Sequence, residues 1–194
     1  MTETSPAATV TRRVGGTELP IPGRWEIDPG HTEVAFIGRH FMLTKVRGRF
    51  TGVSGVIEVA EEPGESIVAV TIDMASVESG SQARDDHLRS PDFFDVARHP
   101  TASFSGHAAD WQGTRGLLAG ELTIRGVTRP VTLQAEYLGH VADPWGGQRA
   151  IFTAEATLNR EDWGLTWNML LDGGGLLVSK DIRIEIEAEA LLEP

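Results

Sequence analysis

The segment Asp181–Ala188, DIRIEIEA, decides the fold class because apolar and charged residues alternate through it without interruption. Ile182, Ile184 and Ile186 would share one face of an extended strand, and the charged residues between them would share the other. An α-helix would instead repeat its apolar positions every three to four residues. The segment therefore predicts a β-strand with one apolar face and one face in water.

Seven further segments show the same alternation, and short Gly, Asp or Pro turns separate most of them. They cover residues 33–40, 46–51, 68–72, 102–105, 118–125, 131–137 and 152–158. Eight amphipathic strands joined in this way indicate an antiparallel, all-β fold. Closure into an eight-stranded β-barrel would bury every apolar face and remove the exposed edges, so we favour a barrel over a two-sheet sandwich.

The connections between the strands contain few signals for helices. Gly-rich turns are predicted at residues 143–147 and 172–175. One short helix is expected at residues 81–88, and a second helical turn at residues 161–163.

The chain of 194 residues is expected to form one domain behind a flexible tail. Residues 1–22 are rich in Thr, Ser, Ala, Gly and Pro and lack a periodic apolar pattern. The domain would then occupy residues 23–194. The N-terminal residues lack the apolar core of a signal peptide, and no run of about 18 apolar residues occurs, which predicts a cytoplasmic protein without a membrane span.

Composition excludes several classes of function. The chain holds 28 acidic and 17 basic residues, for a net charge of −11, which argues against a nucleic-acid partner because phosphate backbones would be repelled. It contains no cysteine, so disulfides, thiolate catalysis and Cys-type zinc sites are absent.

The predicted inner face mixes large apolar side chains with small residues such as Gly38, Gly48, Gly120, Ala154 and Ala188. A barrel of eight strands either fills with side chains or holds one small ligand. The small residues favour an apolar cavity, although they could instead relieve strand curvature while aromatic side chains from the loops fill the space. Such a cavity would select long apolar chains, since each buried CH₂ contributes about 0.8 kcal/mol.

The segment Arg84–Asp95, RDDHLRSPDFFD, combines a charged half with an aromatic half. Neighbouring carboxylates on a helix point about 100° apart, so they do not form a catalytic pair. We interpret the segment as a cover in which Leu88, Phe93 and Phe94 lie over one end of the barrel. Its charged residues are expected on the outer side, with a structural role.

Three polar residues near the N-terminus raise the question of catalysis or metal binding. Asp28 and His31 are expected to shape a turn, and His40 to hydrogen-bond either a core carbonyl or a ligand head group. The chain has no HxH, HExxH, GxSxG or GxGxxG motif, so no catalytic residue, metal ligand or cofactor is predicted. A lipid-modifying enzyme that uses His40, or His31 with Asp28, remains an alternative.

Six segments, in this order along the chain, resemble the YceI-like family of polyisoprenoid-binding proteins. They are WEIDPGHTEVAFIGRH (25–40), KVRGRFTGVSGVIEV (45–59), VTIDMASVESG (70–80), RDDHLRSPDFFDVARHPTASF (84–104), GELTIRGVTRPVTL (120–133) and FTAEATLNREDWGL (152–165). The resemblance implies a lipocalin-like barrel whose pore binds a long isoprenoid, such as a polyprenyl chain or prenyl quinone, or a related fatty amphiphile, for transport or storage. It also implies a homodimer. Many members of that family carry a signal peptide, which is not expected in this chain.

The inner face and the resemblance together predict a set of ligand-binding residues. These are Phe36, His40, Phe50, Val70, Leu88, Phe93, Phe94, Leu122, Leu133, Phe152 and Ile184. A bound long-chain lipid is expected as ligand, without a cofactor. The alternative from another class is a ligand-free interaction or stress-response protein, which requires a barrel filled by its own side chains.

Overall fold

The computed structural model describes residues 10–143, 147–170 and 177–193, in which β-strands dominate. In chain order the elements are β1 (Thr11–Val14), β2 (Thr17–Pro20), β3 (Gly23–Ile27), β4 (Glu33–His40), β5 (Thr44–Phe50), β6 (Val53–Val59), β7 (Ile67–Asp73), β8 (Val77–Glu78), α1 (Gln82–Arg89), β9 (Thr101–Gln112), β10 (Arg115–Ile124), β11 (Val127–Ala142), β12 (Gln148–Asn159) and β13 (Asp181–Leu192). Short 3₁₀-helices occur at Pro29–His31, Pro63–Glu65, Met74–Ser76 and Arg160–Trp163.

The strands form a closed antiparallel barrel in which neighbours in sequence are neighbours in space. Three barrel strands are each broken in two, as β3 with β4, β5 with β6, and β7 with β8. Both β3 and β4 pair with β13, through residues 190–192 and 183–187 respectively. The other edge of β13 pairs with β12 along its whole length, which closes the barrel. The predicted eight-stranded antiparallel barrel is confirmed, and each of the eight alternating segments falls in a different barrel strand.

Helix α1 and the residues after it cover a gap beside β8. In the described part of the chain, β8 pairs with β5 on one side, while β9 pairs with β7 rather than with β8. Arg89 crosses this gap and donates hydrogen bonds to the carbonyl oxygens of Ala75 (3.1 Å) and Val77 (2.7 Å). The helix runs from Gln82 to Arg89, close to the predicted residues 81–88.

The second predicted helical turn is also present, as the 3₁₀-helix Arg160–Trp163. The side chain of Asn159 accepts a hydrogen bond from the backbone amide of Glu161 (3.1 Å) and so caps this turn. Of the predicted Gly-rich turns, residues 144–146 and 172–175 lie outside the described residues.

The predicted flexible tail over residues 1–22 is wrong from Val10 onward, where β1 and β2 form a hairpin. Gly15 and Gly16 both have positive φ, 56° and 86°, which a two-residue hairpin turn requires and which glycine adopts without steric cost. Val10 and Leu19 are buried against Trp25 and Tyr137. The sequence pattern suggested a linker because Gly-Gly occurs both in flexible linkers and in tight turns. Residues 1–9 lie outside the described residues.

The hairpin closes one end of the barrel, and the opposite end is the mouth. We define the mouth by the β4–β5 turn, α1 and residues 164–170. At the closed end Trp25 is fully buried, and its indole Nε1 donates to the carbonyl oxygen of Ile21 (3.2 Å). Toward the mouth, Leu88 and Phe94 pack on a second buried cluster that includes Phe50 and Met74. Within the described residues, no helix has the length and apolar character needed to cross a membrane.

Candidate functional site

The barrel is hollow, with two cavities stacked along its interior. The larger has a volume of about 440 Å³ and lies toward the mouth, and the smaller, of about 140 Å³, lies beside the hairpin. The main cavity falls within the size range of small-molecule sites, about 300–1,000 Å³. Six side chains line both cavities and form the layer between them: Ile27, Val70, Phe104, Leu133, Ile186 and Ala188.

Ten of the eleven residues predicted to bind ligand line the main cavity. They are Phe36, His40, Phe50, Val70, Leu88, Phe93, Phe94, Leu122, Leu133 and Ile184. Phe152 lines the smaller cavity instead, where its ring packs against Tyr137 with centroids 5.4 Å apart. Burial raises the pKa of Tyr137 to about 12. The structure thus places all eleven residues on the interior surface, and their role in binding stays a prediction.

The small inward residues explain the cavities only in part. Gly38 and Ala188 line the main cavity, as expected. Gly48 does not, because the ring of Phe36 covers it, so that a Cβ there would lie 2.2 Å from Phe36 Cζ. At Gly120 a Cβ would lie 2.3 Å from the carbonyl oxygen of Ser105. At these two glycines the missing side chain therefore admits a neighbouring ring or strand rather than a ligand.

The predicted cover is present, but its polar half does not lie entirely outside. Phe93 is buried, and its ring centroid lies 5.0 Å from that of His87 and 5.3 Å from that of Trp167. Arg84 and His87 line the main cavity, contrary to the expectation that the charges of this segment face solvent. Asp85 is buried, unlike Arg84 and His87, and it accepts a hydrogen bond from Ser79. The sequence pattern missed these orientations because the helix is short and both of its faces are partly enclosed.

Backbone amides at the end of β4 hold the mouth together by hydrogen bonds to residues far away in the sequence. The amide of Phe41 donates to the carbonyl oxygen of Leu177 (2.8 Å), and the amide of Arg39 donates to Ser179 Oγ (2.9 Å). The ring of His40 lies 4.1 Å from that of Phe41, between centroids. These contacts place Arg39 and His40 at the entrance of the cavity.

The polar groups that line the main cavity include five basic side chains. They are Arg39, His40, Arg84, His87 and Arg160. Within the described residues, no aspartate or glutamate lines either cavity. The described lining of the main cavity is therefore basic, although Asp92 lies 2.9 Å from His87 just outside it.

Arg160 and Arg39 are the members of this set that the sequence pattern gave no reason to single out, and only Arg160 is buried. It lies directly after β12 and is 6 % exposed. Its Nε donates to the carbonyl oxygen of Ser179 (2.9 Å), and its Nη1 donates to that of Leu165. Its Nη2 is buried and has no hydrogen-bond partner among the described residues. Burial lowers the pKa of this guanidinium. One feature of the sequence could have pointed to Arg160. It directly follows an alternating strand, at the point where the chain turns back across the mouth.

Asp28 and His31 shape the turn between β3 and β4, and neither lines a cavity. Asp28 accepts hydrogen bonds from the amide of Gly30 (2.9 Å) and from Arg149, and its Oδ2 lies 2.8 Å from His31 Nδ1. Glu189 lies close enough to both to complete a metal site. Arg149 occupies this position, since its Nη1 also lies 3.1 Å from Glu189 Oε2. The positive charge that a metal would supply is thus already present.

The hydrogen bond from Arg149 is the largest cause that lowers the pKa of Asp28, to about 2. A carboxylate whose folded pKa lies below its unfolded value stabilises the fold above that unfolded value, near 4, and this contribution is lost as the pH falls toward 2. We therefore expect Asp28→Asn to lower the free energy of unfolding by about 2 kcal/mol at pH 7, and by much less near pH 2.

Urea unfolding at a series of pH values measures this effect. Asp181→Asn removes an exposed carboxylate that forms no ion pair with any described residue, and serves as the matched control. An equal loss of stability for Asp28→Asn at pH 7 and pH 2.5 would show that the ion pair with Arg149 is not its source.

The geometry defines a class of protein, a hollow up-and-down β-barrel with an apolar interior and basic groups near its mouth. Residues 25–190 match the family model of the YceI-like domain, and the chain belongs to the YceI-like family. A UPF0312 protein of Pseudomonas paraeruginosa is 39 % identical over 140 residues, which cover 72 % of this chain and 73 % of the relative. The resemblance drawn from the six sequence segments is confirmed.

Two solved structures share the barrel. A Campylobacter jejuni YceI protein is 30 % identical, with a TM-score of 0.68 over 80 % of this chain and 90 % of that one. A Saccharophagus degradans domain described as polyisoprenoid-binding and implicated in plant cell wall breakdown has a TM-score of 0.64 at 15 % identity, over 89 % of this chain and all of that one. At that identity the second likeness concerns the fold alone.

Proposed function

We propose that this protein binds and shields a long isoprenoid chain, or a related fatty amphiphile, inside its barrel. The observation that supports this most directly is the main cavity of about 440 Å³, which apolar side chains from all parts of the barrel line. The smaller cavity lies behind it and shares six of its lining residues, so a long chain can extend along the barrel by displacing the side chains between the two.

The physical chemistry of the cavity favours a long ligand over a small one. Sequestering about ten carbons gains roughly 8 kcal/mol before the costs of ordering and immobilisation. The translational and rotational part of those costs occurs once for any ligand, while the gain rises with every CH₂. The proposal is also supported by the Saccharophagus domain, which shares this fold and is described as polyisoprenoid-binding.

The two rival functions fit the interior less well. A lipid-modifying enzyme would need its titratable groups together in the cavity, but Asp28 and His31 lie outside it, while His40 lies at the opposite end of β4. A ligand-free interaction protein would need a barrel filled by its own side chains. The proposal is therefore a binding protein without a catalytic centre or a cofactor. The homodimer implied by the family and the cytoplasmic location expected from the N-terminal residues stay predictions.

Native mass spectrometry of protein purified without detergent tests the proposal, together with organic extraction of whatever accompanies it. We expect a stoichiometric isoprenoid or fatty amphiphile to accompany the protein, and we expect its removal and re-addition to lower and restore the melting temperature. A protein that carries no lipid, and whose melting temperature does not respond to prenyl or acyl lipids, would overturn the proposal.

A further inference from the structure

The arginines of this protein divide into two groups by their partners. Nine of the fifteen form an ion pair with a carboxylate: Arg12, Arg24, Arg47, Arg49, Arg89, Arg98, Arg115, Arg149 and Arg183. The three that line the main cavity, Arg39, Arg84 and Arg160, form none with any described residue. Arg13, Arg125 and Arg129 also form none with any described residue, but they line neither cavity. The carboxylate of Glu161 acts on Arg160 only from beyond ion-pair distance, and Asp85 reaches Arg84 only through the hydroxyl of Ser79.

Arg160 differs from the other two because it is buried. Arg39 and Arg84 are exposed, and water can solvate their charges. The guanidinium of Arg160 keeps its charge at any ordinary pH, since its pKa lies far above neutrality. Carbonyl oxygens satisfy two of its nitrogens, while Nη2 is left without an acceptor. A buried cation without a counter-charge is costly, and so is a buried donor without an acceptor.

We propose that Arg160 is the head-group anchor of the cavity and that the ligand carries an anionic head, with phosphate or carboxylate oxygens. The inference rests on the proposed function, because it concerns the polar end of the same ligand. Nη2 is closed off from the empty cavity, so a ligand must displace a neighbouring side chain to reach it. An anionic oxygen there would supply both the missing acceptor and a counter-charge, and a guanidinium binds phosphate and carboxylate with matched geometry.

The position of Arg160 sets the direction of the bound molecule. It follows the last residue of β12 at the mouth and is held there by the carbonyl oxygens of Leu165 and Ser179. The apolar tail then runs from the mouth past Ile184 toward Ala188 and the smaller cavity. The Nε and Nη2 atoms of Arg84 both bind Ser79, which holds this second positive charge at the cavity wall.

Matched pairs of lipids test the inference on delipidated protein. Geranylgeranyl diphosphate and geranylgeraniol share one tail, as do palmitate and hexadecanol, and within each pair only the head differs. A charge-assisted hydrogen bond predicts that the protein binds the anionic member of at least one pair about tenfold or more tightly than the alcohol. The two pairs distinguish a phosphate head from a carboxylate head.

Arg160→Gln removes the charge and keeps an amide donor for the neighbouring carbonyl oxygens. We expect it to weaken binding of the preferred anionic lipid about tenfold or more, and to leave binding of the matching alcohol within about threefold. Arg183→Gln, on the outer face of β13, is the control and is expected to change neither affinity.

The possible failures are distinguishable from one another. Equal binding of anionic and neutral lipids by the wild type, or an equal loss of both in Arg160→Gln, would overturn the anchor and leave the proposed function standing. Binding of none of the four lipids would instead count against the proposed function. If Arg160→Gln does not fold, the preference of the wild type decides alone.

Discussion

Placing two tryptophans in the main cavity, as Val70→Trp with Ile184→Trp, is expected to weaken lipid binding strongly and to leave the barrel folded. Val70 is on β7 and Ile184 is on β13, three strands apart around the barrel, and both side chains line the cavity. Two indole rings would occupy the path of the ligand from opposite walls. Excluding about four methylene groups costs roughly 3 kcal/mol, so affinity should fall about 100-fold or more.

The fold should tolerate this change because the new rings enter empty space. Overpacking a filled core costs about 1–3 kcal/mol, but a hollow interior accepts added volume with less strain. Lipid titration followed by thermal unfolding measures both effects on the same sample. Leu138→Trp is the control, since Leu138 is exposed on β11 and lines neither cavity. Undiminished binding by the double variant would show that the lipid lies elsewhere.

Truncation of Trp25 should produce the largest loss of stability, because this side chain is fully buried at the closed end of the barrel. It packs with Val10 and Leu19 from the hairpin and with Tyr137 from β11, so it joins the hairpin to the barrel. We expect Trp25→Ala to lower the free energy of unfolding by about 3–5 kcal/mol, a large share of the roughly 5–15 kcal/mol of a typical domain.

Comparing the urea unfolding of Trp25→Ala with that of Trp111→Ala tests whether the loss of stability comes from the burial of the side chain or from the removal of any tryptophan. Trp111 packs against the same cluster but is only partly buried, so its truncation should cost less. Easier proteolysis within residues 10–21 is expected in Trp25→Ala alone, because the hairpin loses its main contact. Equal losses in the two variants would contradict this account of the closed end.

The features that the sequence predicted correctly are those that local pattern controls. Alternation places every second side chain on one face of a strand, so it identified eight barrel strands and most of the interior lining. The cover over residues 84–95 was predicted because Leu88 and Phe94 are apolar and would be expected to pack on the barrel. In the structure both side chains pack on a buried cluster.

Features that depend on close approach between distant segments were missed. Whether Gly48 borders a cavity or a ring depends on the rotamer of Phe36 on the adjacent strand. Whether Gly15 and Gly16 belong to a linker or a turn depends on a surface for the hairpin to cover, which Trp25 and Tyr137 provide.

The sequence alone therefore determined that this protein is an all-β barrel with an apolar interior, because strand periodicity is a property of neighbouring residues. Only the tertiary structure decided that the interior is hollow and that Arg160 lines it without an ion-pair partner among the described residues. Both depend on how the barrel closes. Residues 179 and 165 approach the end of β12 only when β13 has paired with β12 on one edge and with β4 on the other.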